Sequence, residues 1–154
     1  MRRETVGRLM EVLLVEDSLM AARLTMGALK RGHIEHRMTW ISDGAEALSF
    51  LRQEGRFSRA PRPDLVLLDL GLPSLDGREL LAAMRTDPEL QDIPVVVMTG
   101  EATSVHDSML DSLDVQGFMV KPVNMEKFLA LVEQLKGHWK ADMILPQRLD
   151  LQRQ

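Results

Sequence analysis

The chain has 154 residues, of which 45% are hydrophobic and 27% charged, and its formal net charge is -4. That length indicates one domain whose core is large enough to fold without a disulfide or a structural metal. The sequence contains no cysteine, which excludes disulfides, thiolate zinc sites and cysteine nucleophiles. The mild acidity and the 4% aromatic content argue against a nucleic-acid surface. No apolar window is long enough for a membrane span and no secretory segment follows Met1–Glu4, so we expect a cytoplasmic protein that binds neither nucleic acid nor membranes.

Five short apolar runs are the strand candidates. Three of them are nearly solid Val, Leu and Met, as expected for strands that are covered on both faces, whereas the second is mixed and suits an edge strand. In chain order the runs are 12–15, 36–41, 65–68, 94–98 and 117–120.

Each run is followed by a helical pattern. The first repeats apolar residues at three- and four-residue steps from Leu19 to Leu29, and Gly32 follows as a stop signal. The other four patterns begin after residues that can cap a helix N-terminus, and at two of them a Glu three residues later predicts a capping box. These residues are Asp43 (with Glu46 three residues on), Asp76 (with Glu79 three residues on), Thr103 or Ser104, and Asn124.

Strands that alternate with helices at this spacing favour right-handed crossovers and a parallel sheet. We therefore predict an α/β fold, a flavodoxin-like (βα)5 doubly wound sandwich with five parallel strands in the order 2-1-3-4-5. The predicted domain covers residues 10–140, and residues 1–9 and 141–154 are short extensions.

Five polar residues follow four of the apolar strands. They are Glu16 and Asp17 after the first strand, Asp69 after the third, Thr99 at the end of the fourth and Lys121 after the fifth. In open α/β sheets, ligands bind beyond the carboxyl ends of the strands, where the strand order reverses. Each residue alone is more commonly a cap, a turn residue or a surface charge, but their combination indicates a phosphoryl-binding site.

The chemistry of these residues predicts a magnesium-assisted reaction at phosphorus. Clustered carboxylates repel one another unless a cation lies among them, and oxygen ligands favour Mg²⁺. Asp69 is the candidate nucleophile, and Lys121 with the Thr99 hydroxyl would contact phosphoryl oxygens. Gly71 has no side chain, so it could ligate a metal only through its carbonyl. The four histidines lack a ligand spacing that points to this edge.

These motifs resemble the receiver domain of bacterial two-component response regulators, over about residues 10–137. The matching stretches are 12–18 (VLLVEDS), 64–77 (DLVLLDLGLPSLDG), 94–100 (PVVVMTG) and 117–122 (GFMVKP). The resemblance implies that a sensor histidine kinase passes a phosphoryl group to Asp69 with Mg²⁺ bound.

The same resemblance implies roles for individual residues. Asp17, Asp69 and the Gly71 carbonyl would contact the metal, and Glu16 would act through water. Thr99 and Phe118 match the switch pair of the family, in which the hydroxyl moves to the phosphoryl group and the aromatic ring turns inward. That movement would repack the surface formed by the fourth helix, the fifth strand and the fifth helix.

The chain is also similar to the stand-alone response regulators that are paired with bacterial phytochromes. The similar segments are Arg62-Pro63-Asp64, Asp76-Gly77-Arg78-Glu79, 92–97, His138-Trp139 and Leu145-Pro146. This likeness implies a bacteriophytochrome as the kinase, and a homodimer in which the apolar C-terminal extension packs on the other subunit. Without it, such a tail would be expected to fold back on its own domain or to fray.

Other functions fit the sequence less well. An aspartate-nucleophile phosphatase usually carries a second Asp two residues after the first, and here that position is Gly71. No phosphate-binding Gly-rich loop follows the first strand, and too few residues follow the fifth helix for a helix-turn-helix. We therefore expect a phosphoacceptor with at most slow self-dephosphorylation, acting as a signalling output or as a phosphate sink for the kinase.

Overall fold

The computed structural model describes residues 8–31, 35–72, 74–99, 115, 117–121, 124–135 and 143–144. The helix expected after Thr103 or Ser104, and the C-terminal extension except for residues 143–144, lie outside these ranges. The strands are β1 (Arg8–Val15), β2 (His36–Ile41), β3 (Leu65–Asp69), β4 (Val95–Thr99), β5 (Gly117–Val120) and β6 (Met143–Ile144). The helices are α1 (Leu19–Arg31), α2 (Gly44–Leu51), α3 (Gly77–Thr86) and α4 (Met125–Leu135), with a short 3-10 helix at Gly55–Phe57.

The main sheet has the predicted order. Strands β2-β1-β3-β4-β5 are all parallel, which confirms the flavodoxin-like arrangement. Val15 pairs with both Ile41 and Leu68, so the carboxyl ends of the three neighbouring strands are level with one another. Every residue of β3 and β4 is buried, as their solid apolar runs predict.

Strand β6 is an addition that the sequence pattern does not predict. It pairs in parallel with the start of β1, where Arg8 faces Met143 and Leu9 faces Ile144. The pairing of β1 with β2 begins only at Met10, so residues 8 and 9 extend beyond it and offer backbone groups to another strand. Residues 143–144 thus lie at the opposite end of β1 from Glu16.

Apolar side chains pack into a separate cluster on each face of the sheet. Alternate residues of β1 point to opposite faces, so Leu14 joins one cluster and Leu13 the other. The first cluster includes Leu29 of α1 and Phe128 of α4, and the second includes residues of α2 and α3. Because both faces of the sheet are covered by apolar side chains, the polar side chains lie at the carboxyl ends of the strands.

Helix capping follows the sequence at three helices. Asp76 accepts a hydrogen bond from the Arg78 backbone, and Glu79 accepts one from the Asp76 backbone, which confirms the predicted capping box. Asn124 accepts a hydrogen bond from the Lys127 backbone at 3.0 Å and caps α4.

Asp43 caps α2 through a 3.0 Å hydrogen bond from the Glu46 backbone. The capping box predicted at Asp43 and Glu46 is therefore only half formed, because the Glu46 carboxylate accepts a hydrogen bond from Arg56 Nη2 at 2.7 Å instead. The 3-10 helix after α2 brings Arg56 back to this carboxylate. Within the ranges given above, no helix has the length and apolar character needed to cross a membrane.

Candidate functional site

The first part of the site is the turn that follows β1. The Glu16 backbone N–H donates to the carbonyl of Ile41 at 3.1 Å, which extends the pairing of β1 with β2 by one residue. The Glu16 side chain has no exposed surface, and its Oε2 accepts a hydrogen bond from the Ser18 backbone at 3.1 Å. Asp17 is exposed. Two adjacent carboxylates thus leave the strand, one pointing into the protein and one toward solvent.

Asp69 ends β3, and only 8% of its surface is exposed. Its Oδ1 accepts a long hydrogen bond, 3.4 Å, from the backbone N–H of Gly71. Helix α3 begins close to it, because the Gly77 backbone N–H donates to the Leu70 carbonyl at 3.0 Å. A Cβ on Gly77 would lie 2.5 Å from the backbone oxygen of Asp69, so this close approach requires glycine.

The three predicted carboxylates come together. Glu16, Asp17 and Asp69 each offer a carboxylate oxygen, and these oxygens lie within 4.8 Å of one another. The ammonium of Lys121, which follows β5, reaches the same place: its Nζ is 2.6 Å from Glu16 Oε1 and 3.4 Å from Asp69 Oδ1. The Lys121 backbone N–H donates to the Thr99 carbonyl at 2.8 Å, which fixes the end of β5 beside the end of β4.

Burial and charge act on this cluster in opposite directions. Burial raises the pKa of Glu16 above its ordinary value, more than the hydrogen bonds from Lys121 and Ser18 lower it. Burial lowers the pKa of Lys121, but the hydrogen bond to Glu16 and the charge of Asp69 outweigh this effect, so the pKa lies above its ordinary value. The lysine therefore stays cationic and holds the buried carboxylate in place.

The donor set suits a small divalent cation. One ammonium contacts a cluster of three carboxylates, which leaves negative charge that a cation would neutralise. All three side chains present oxygen, the ligand that Mg²⁺ and Mn²⁺ accept readily. Gly71, two residues after Asp69, is exposed, and a Cβ built there meets nothing within 4 Å, so the space around this position is open.

Thr99 and Phe118 lie on the same face of the sheet. Phe118 pairs with Val97, which lies two residues before Thr99 on β4. The Thr99 and Phe118 side chains are therefore on neighbouring strands, offset by two residues. Thr99 is 6% exposed, and Phe118 is partly buried against the cluster that includes residues of α2 and α3. The structure thus brings the predicted switch pair close in register.

Sequence reasoning missed Trp40 at this site. Its indole Nε1–H donates to the backbone carbonyl of Glu16 at 2.7 Å. The residue is the last but one in β2, and a tryptophan at the end of a mixed edge strand is the only signal in the sequence.

A second contact that was not predicted joins the loop after Asp69 to α2. The Ser74 hydroxyl donates to Asp43 Oδ1 at 2.6 Å, and this hydrogen bond holds the pKa of Asp43 below its ordinary value. Ser74 has a positive φ of 58°, a conformation that non-glycine residues seldom adopt. A Cβ on Gly44 would lie 1.9 Å from the carbonyl oxygen of Leu75, so the loop also packs directly on the start of α2.

The response regulator receiver domain profile matches residues 12–133, and the chain belongs to that family. The response regulator Rcp1 of Synechocystis sp. is 39% identical over 137 residues, which cover 88% of this chain and 92% of Rcp1. The family predicted from the motifs is thereby confirmed.

Solved structures of similar proteins include phytochrome-associated response regulators. The Mn²⁺-bound form of Rcp1 matches with a TM-score of 0.69 and 37% identity, over 90% of this chain and 99% of that one. The phosphorylated cyanobacterial phytochrome response regulator RcpA matches with the same values. The bacteriophytochrome response regulator AtBRR matches with a TM-score of 0.79 and 33% identity, over 86% of this chain and 96% of that one. The predicted likeness to this group is confirmed as well.

Proposed function

We propose that this receiver domain accepts a phosphoryl group on Asp69 from a sensor histidine kinase and signals through protein contacts. The observation that carries the proposal is the position of the Asp69 carboxylate, 3.4 Å from the Lys121 ammonium and in one cluster with Glu16 and Asp17. Phosphorylation of a similar protein, RcpA, supports it.

In the proposed transfer, an oxygen of the Asp69 carboxylate attacks the phosphorus of a phosphohistidine. An O–P bond forms, the N–P bond breaks, and the electron pair of that bond returns to the imidazole nitrogen. Both reacting groups are anionic, so positive charge at the site lowers the barrier. Lys121 contacts one phosphoryl oxygen, and the Thr99 hydroxyl contacts another.

Asp17, Asp69 and the Gly71 carbonyl would hold Mg²⁺, with Glu16 acting through water. When bound, the ion would neutralise charge on the carboxylates and on the phosphoryl oxygens. The oxygen-only donor set supports this assignment, as does the Mn²⁺-bound form of Rcp1.

The output is a switch between two arrangements of Thr99 and Phe118. Phosphorylation adds roughly -1.5 to -2 charge near neutral pH, which draws the Thr99 hydroxyl toward Asp69. Phe118 then fills the space that Thr99 leaves, and the surface around β5 is repacked. Their shared face on β4 and β5 supports the coupling.

The kinase partner we propose is a bacteriophytochrome, supported by the likeness to RcpA and AtBRR. We also propose a homodimer in which the C-terminal extension, residues 141–154, packs on the other subunit. Truncation after Lys140 tests the dimer by light scattering. A dimeric full chain and a monomeric truncated chain would support the role of the extension, and an unchanged mass would contradict it.

A phosphate sink is the second candidate function. The open surroundings of Gly71 favour it, because they leave a phosphoryl group on Asp69 accessible to water. If the phosphoryl group passes back to the kinase and no partner binds the phosphorylated form, the protein is a phosphate sink. A partner that binds only the phosphorylated form would identify a signalling output. In both cases we propose a phosphoacceptor rather than an enzyme with a small-molecule substrate.

The proposal is tested with Mg²⁺ and acetyl phosphate, followed by intact-mass spectrometry. The wild-type chain should gain the mass of one phosphoryl group, and Asp69→Asn should gain none. Asp92→Asn is the matched control, because Asp92 is an exposed aspartate that lies before β4, at the other end of the sheet. Equal labelling of Asp69→Asn and wild type would contradict the proposal.

A further inference from the structure

We infer that Trp40 is a positioning residue for the acidic site: its indole N–H holds the peptide from which Asp17 projects. The inference rests on the proposed function of the site, since it concerns how the carboxylates are arranged to hold a cation. It adds a residue from β2 to a site whose carboxylates and lysine lie at the carboxyl ends of β1, β3 and β5.

The geometry of Trp40 directs its single donor to this peptide. In the register of β1 and β2, Trp40 lies opposite Leu14, two residues before Glu16. Its side chain runs forward past the end of β1, and Nε1 lies 2.7 Å from the Glu16 carbonyl oxygen. An indole has one N–H and no acceptor, so this hydrogen bond uses its whole polar capacity.

Glu16 is held at both ends of its backbone and at both carboxylate oxygens. Its N–H bonds to Ile41, its carbonyl accepts from Trp40, and its carboxylate contacts Ser18 and Lys121. Two of these four contacts come from the last two residues of β2. The edge strand therefore clamps the turn from one side, while Lys121 holds it from the other.

The Trp40 contact matters most for Asp17. The Glu16 carbonyl belongs to the same planar peptide as the Asp17 nitrogen, so fixing that oxygen fixes the plane from which Asp17 leaves. The Asp17 side chain is exposed, so the direction of its backbone, rather than packing, sets where its carboxylate lies. Loss of the indole N–H frees this peptide to rotate and enlarges the distance range between Asp17 and Asp69.

Trp40 is partly buried against the cluster that contains Leu14, Leu29 and Phe128. A buried indole N–H needs a partner for stability alone, so the test must separate the effect on metal affinity from the effect on stability.

Trp40→Phe removes the donor and shortens the ring. Replacement of Trp40 by 3-benzothienylalanine keeps the bicyclic shape and exchanges only N–H for sulfur. Trp139→Phe makes the same chemical change at the other tryptophan of the chain and serves as the control.

The experiment measures Mn²⁺ affinity of the full chain from the electron paramagnetic resonance signal of the free ion, alongside the urea unfolding midpoint without metal. We expect both Trp40 replacements to weaken Mn²⁺ binding by about three- to tenfold, the effect of losing one hydrogen bond, and Trp139→Phe to leave it unchanged. The acetyl phosphate reaction at saturating Mn²⁺ should then recover the wild-type extent, because excess ion compensates for a misplaced ligand.

Unchanged Mn²⁺ affinity in both Trp40 replacements, with phosphorylation of Asp69 intact in the wild type, would overturn the positioning role and leave the proposed function standing. A lower unfolding midpoint with unchanged affinity would likewise show that the hydrogen bond serves stability only. Absence of both Mn²⁺ binding and Asp69 labelling in the wild-type chain would overturn the proposed function itself, and the positioning role with it.

Discussion

The Lys121 ammonium lies 2.6 Å from Oε1 of Glu16, a carboxylate with no exposed surface. The lysine itself is only 21% exposed in its side chain. Charges in such a place are expensive to desolvate, and each one is tolerable only because the other is present. The pair therefore serves two purposes, since it stabilises the turn after β1 and places an ammonium beside Asp69.

Removal of Lys121 should destabilise the protein even without metal or phosphate. Lys121→Met leaves Glu16 buried without its partner, and the free energy of unfolding should fall by about 3 kcal/mol in urea denaturation. The control is Lys127→Met, at an exposed lysine of α4, which should change the free energy of unfolding by less than ~0.5 kcal/mol. Adding Glu16→Gln to Lys121→Met should restore part of the loss, and equal stability of the two lysine variants would refute the account of the pair.

The two glycines that flank the loop after Asp69 should respond differently to the same substitution. Gly77→Ala puts a Cβ 2.5 Å from the Asp69 carbonyl oxygen, so helix α3 must shift, at a cost of about 1 to 3 kcal/mol. Gly71→Ala meets open space and should change the free energy of unfolding by less than ~0.5 kcal/mol. Thermal and urea unfolding of the two variants decide this, and similar stabilities would count against the close approach of α3.

Gly71 should also affect how long the phosphoryl group persists. A larger residue, as in Gly71→Leu, would fill the open space at position 71, two residues after Asp69, and should slow attack by water. We expect the phosphorylated form to decay more slowly, followed by intact-mass spectrometry after the phosphodonor is removed. An unchanged decay would show that access past residue 71 does not limit hydrolysis.

The hydrogen bond from Ser74 to Asp43 should make stability depend on pH in the acid range. A carboxyl group whose pKa is lowered by folding adds stability above its unfolded pKa, and that stability disappears as the pH falls through the folded value. The ordinary value for Asp43 is 3.8, and its pKa in the fold is lower. Ser74→Ala should therefore lower the free energy of unfolding at neutral pH. This difference from the wild type should disappear as the pH falls below 3.8.

Because Asp43 and Ser74 are near the surface, the effect at neutral pH should be less than ~1 kcal/mol. Urea denaturation at several pH values measures it, with Ser58→Ala, at an exposed serine, as the control. A difference between Ser74→Ala and wild type that stays constant across the acid range would contradict the assignment.

Thr99→Ala should separate phosphorylation from the switch. The hydroxyl is not a proposed metal ligand, so Mg²⁺ binding should be unchanged and Asp69 should still be labelled. Fluorine NMR of fluorophenylalanine-labelled protein should show the Phe118 signal moving on phosphorylation in the wild type and not in Thr99→Ala. Thr86→Ala, at a threonine whose hydroxyl donates to the Ala82 and Ala83 carbonyls of its own helix, should behave like the wild type. A Phe118 signal that still moves on phosphorylation of Thr99→Ala would contradict the proposed coupling of Thr99 to Phe118.

The elements that the sequence predicted best are those with strong local patterns. The run before Thr99 is solid Val and Met and forms β4, and the spacing of Asp76 and Glu79 produces the capping box. Strand β1 is longer than its apolar run because its start pairs with β2 and β6, including the charged residue Glu11. The two-residue β6 depends wholly on pairing with residues more than a hundred positions away, which no local pattern records.

The same distinction applies to the site. Sheet topology alone predicts that the charged residues of the site meet, because each lies at the carboxyl end of a recognisable strand. These residues are Glu16, Asp17, Asp69 and Lys121. The contact of Trp40 with a backbone oxygen 24 residues earlier has no such signal, because the acceptor is common to every residue. The Ser74 contact with Asp43 is similar, since it depends on how the loop after Asp69 folds over α2.

Chemical trapping of the acyl phosphate tests most directly whether the Asp69 carboxylate accepts the phosphoryl group. Borohydride reduces an aspartyl phosphate to homoserine, which peptide mass spectrometry can place in the sequence. After treatment with Mg²⁺ and acetyl phosphate, homoserine should appear at residue 69 and be absent when Mg²⁺ is replaced by a chelator. Homoserine at another aspartate, with Asp69 unmodified, would contradict the account.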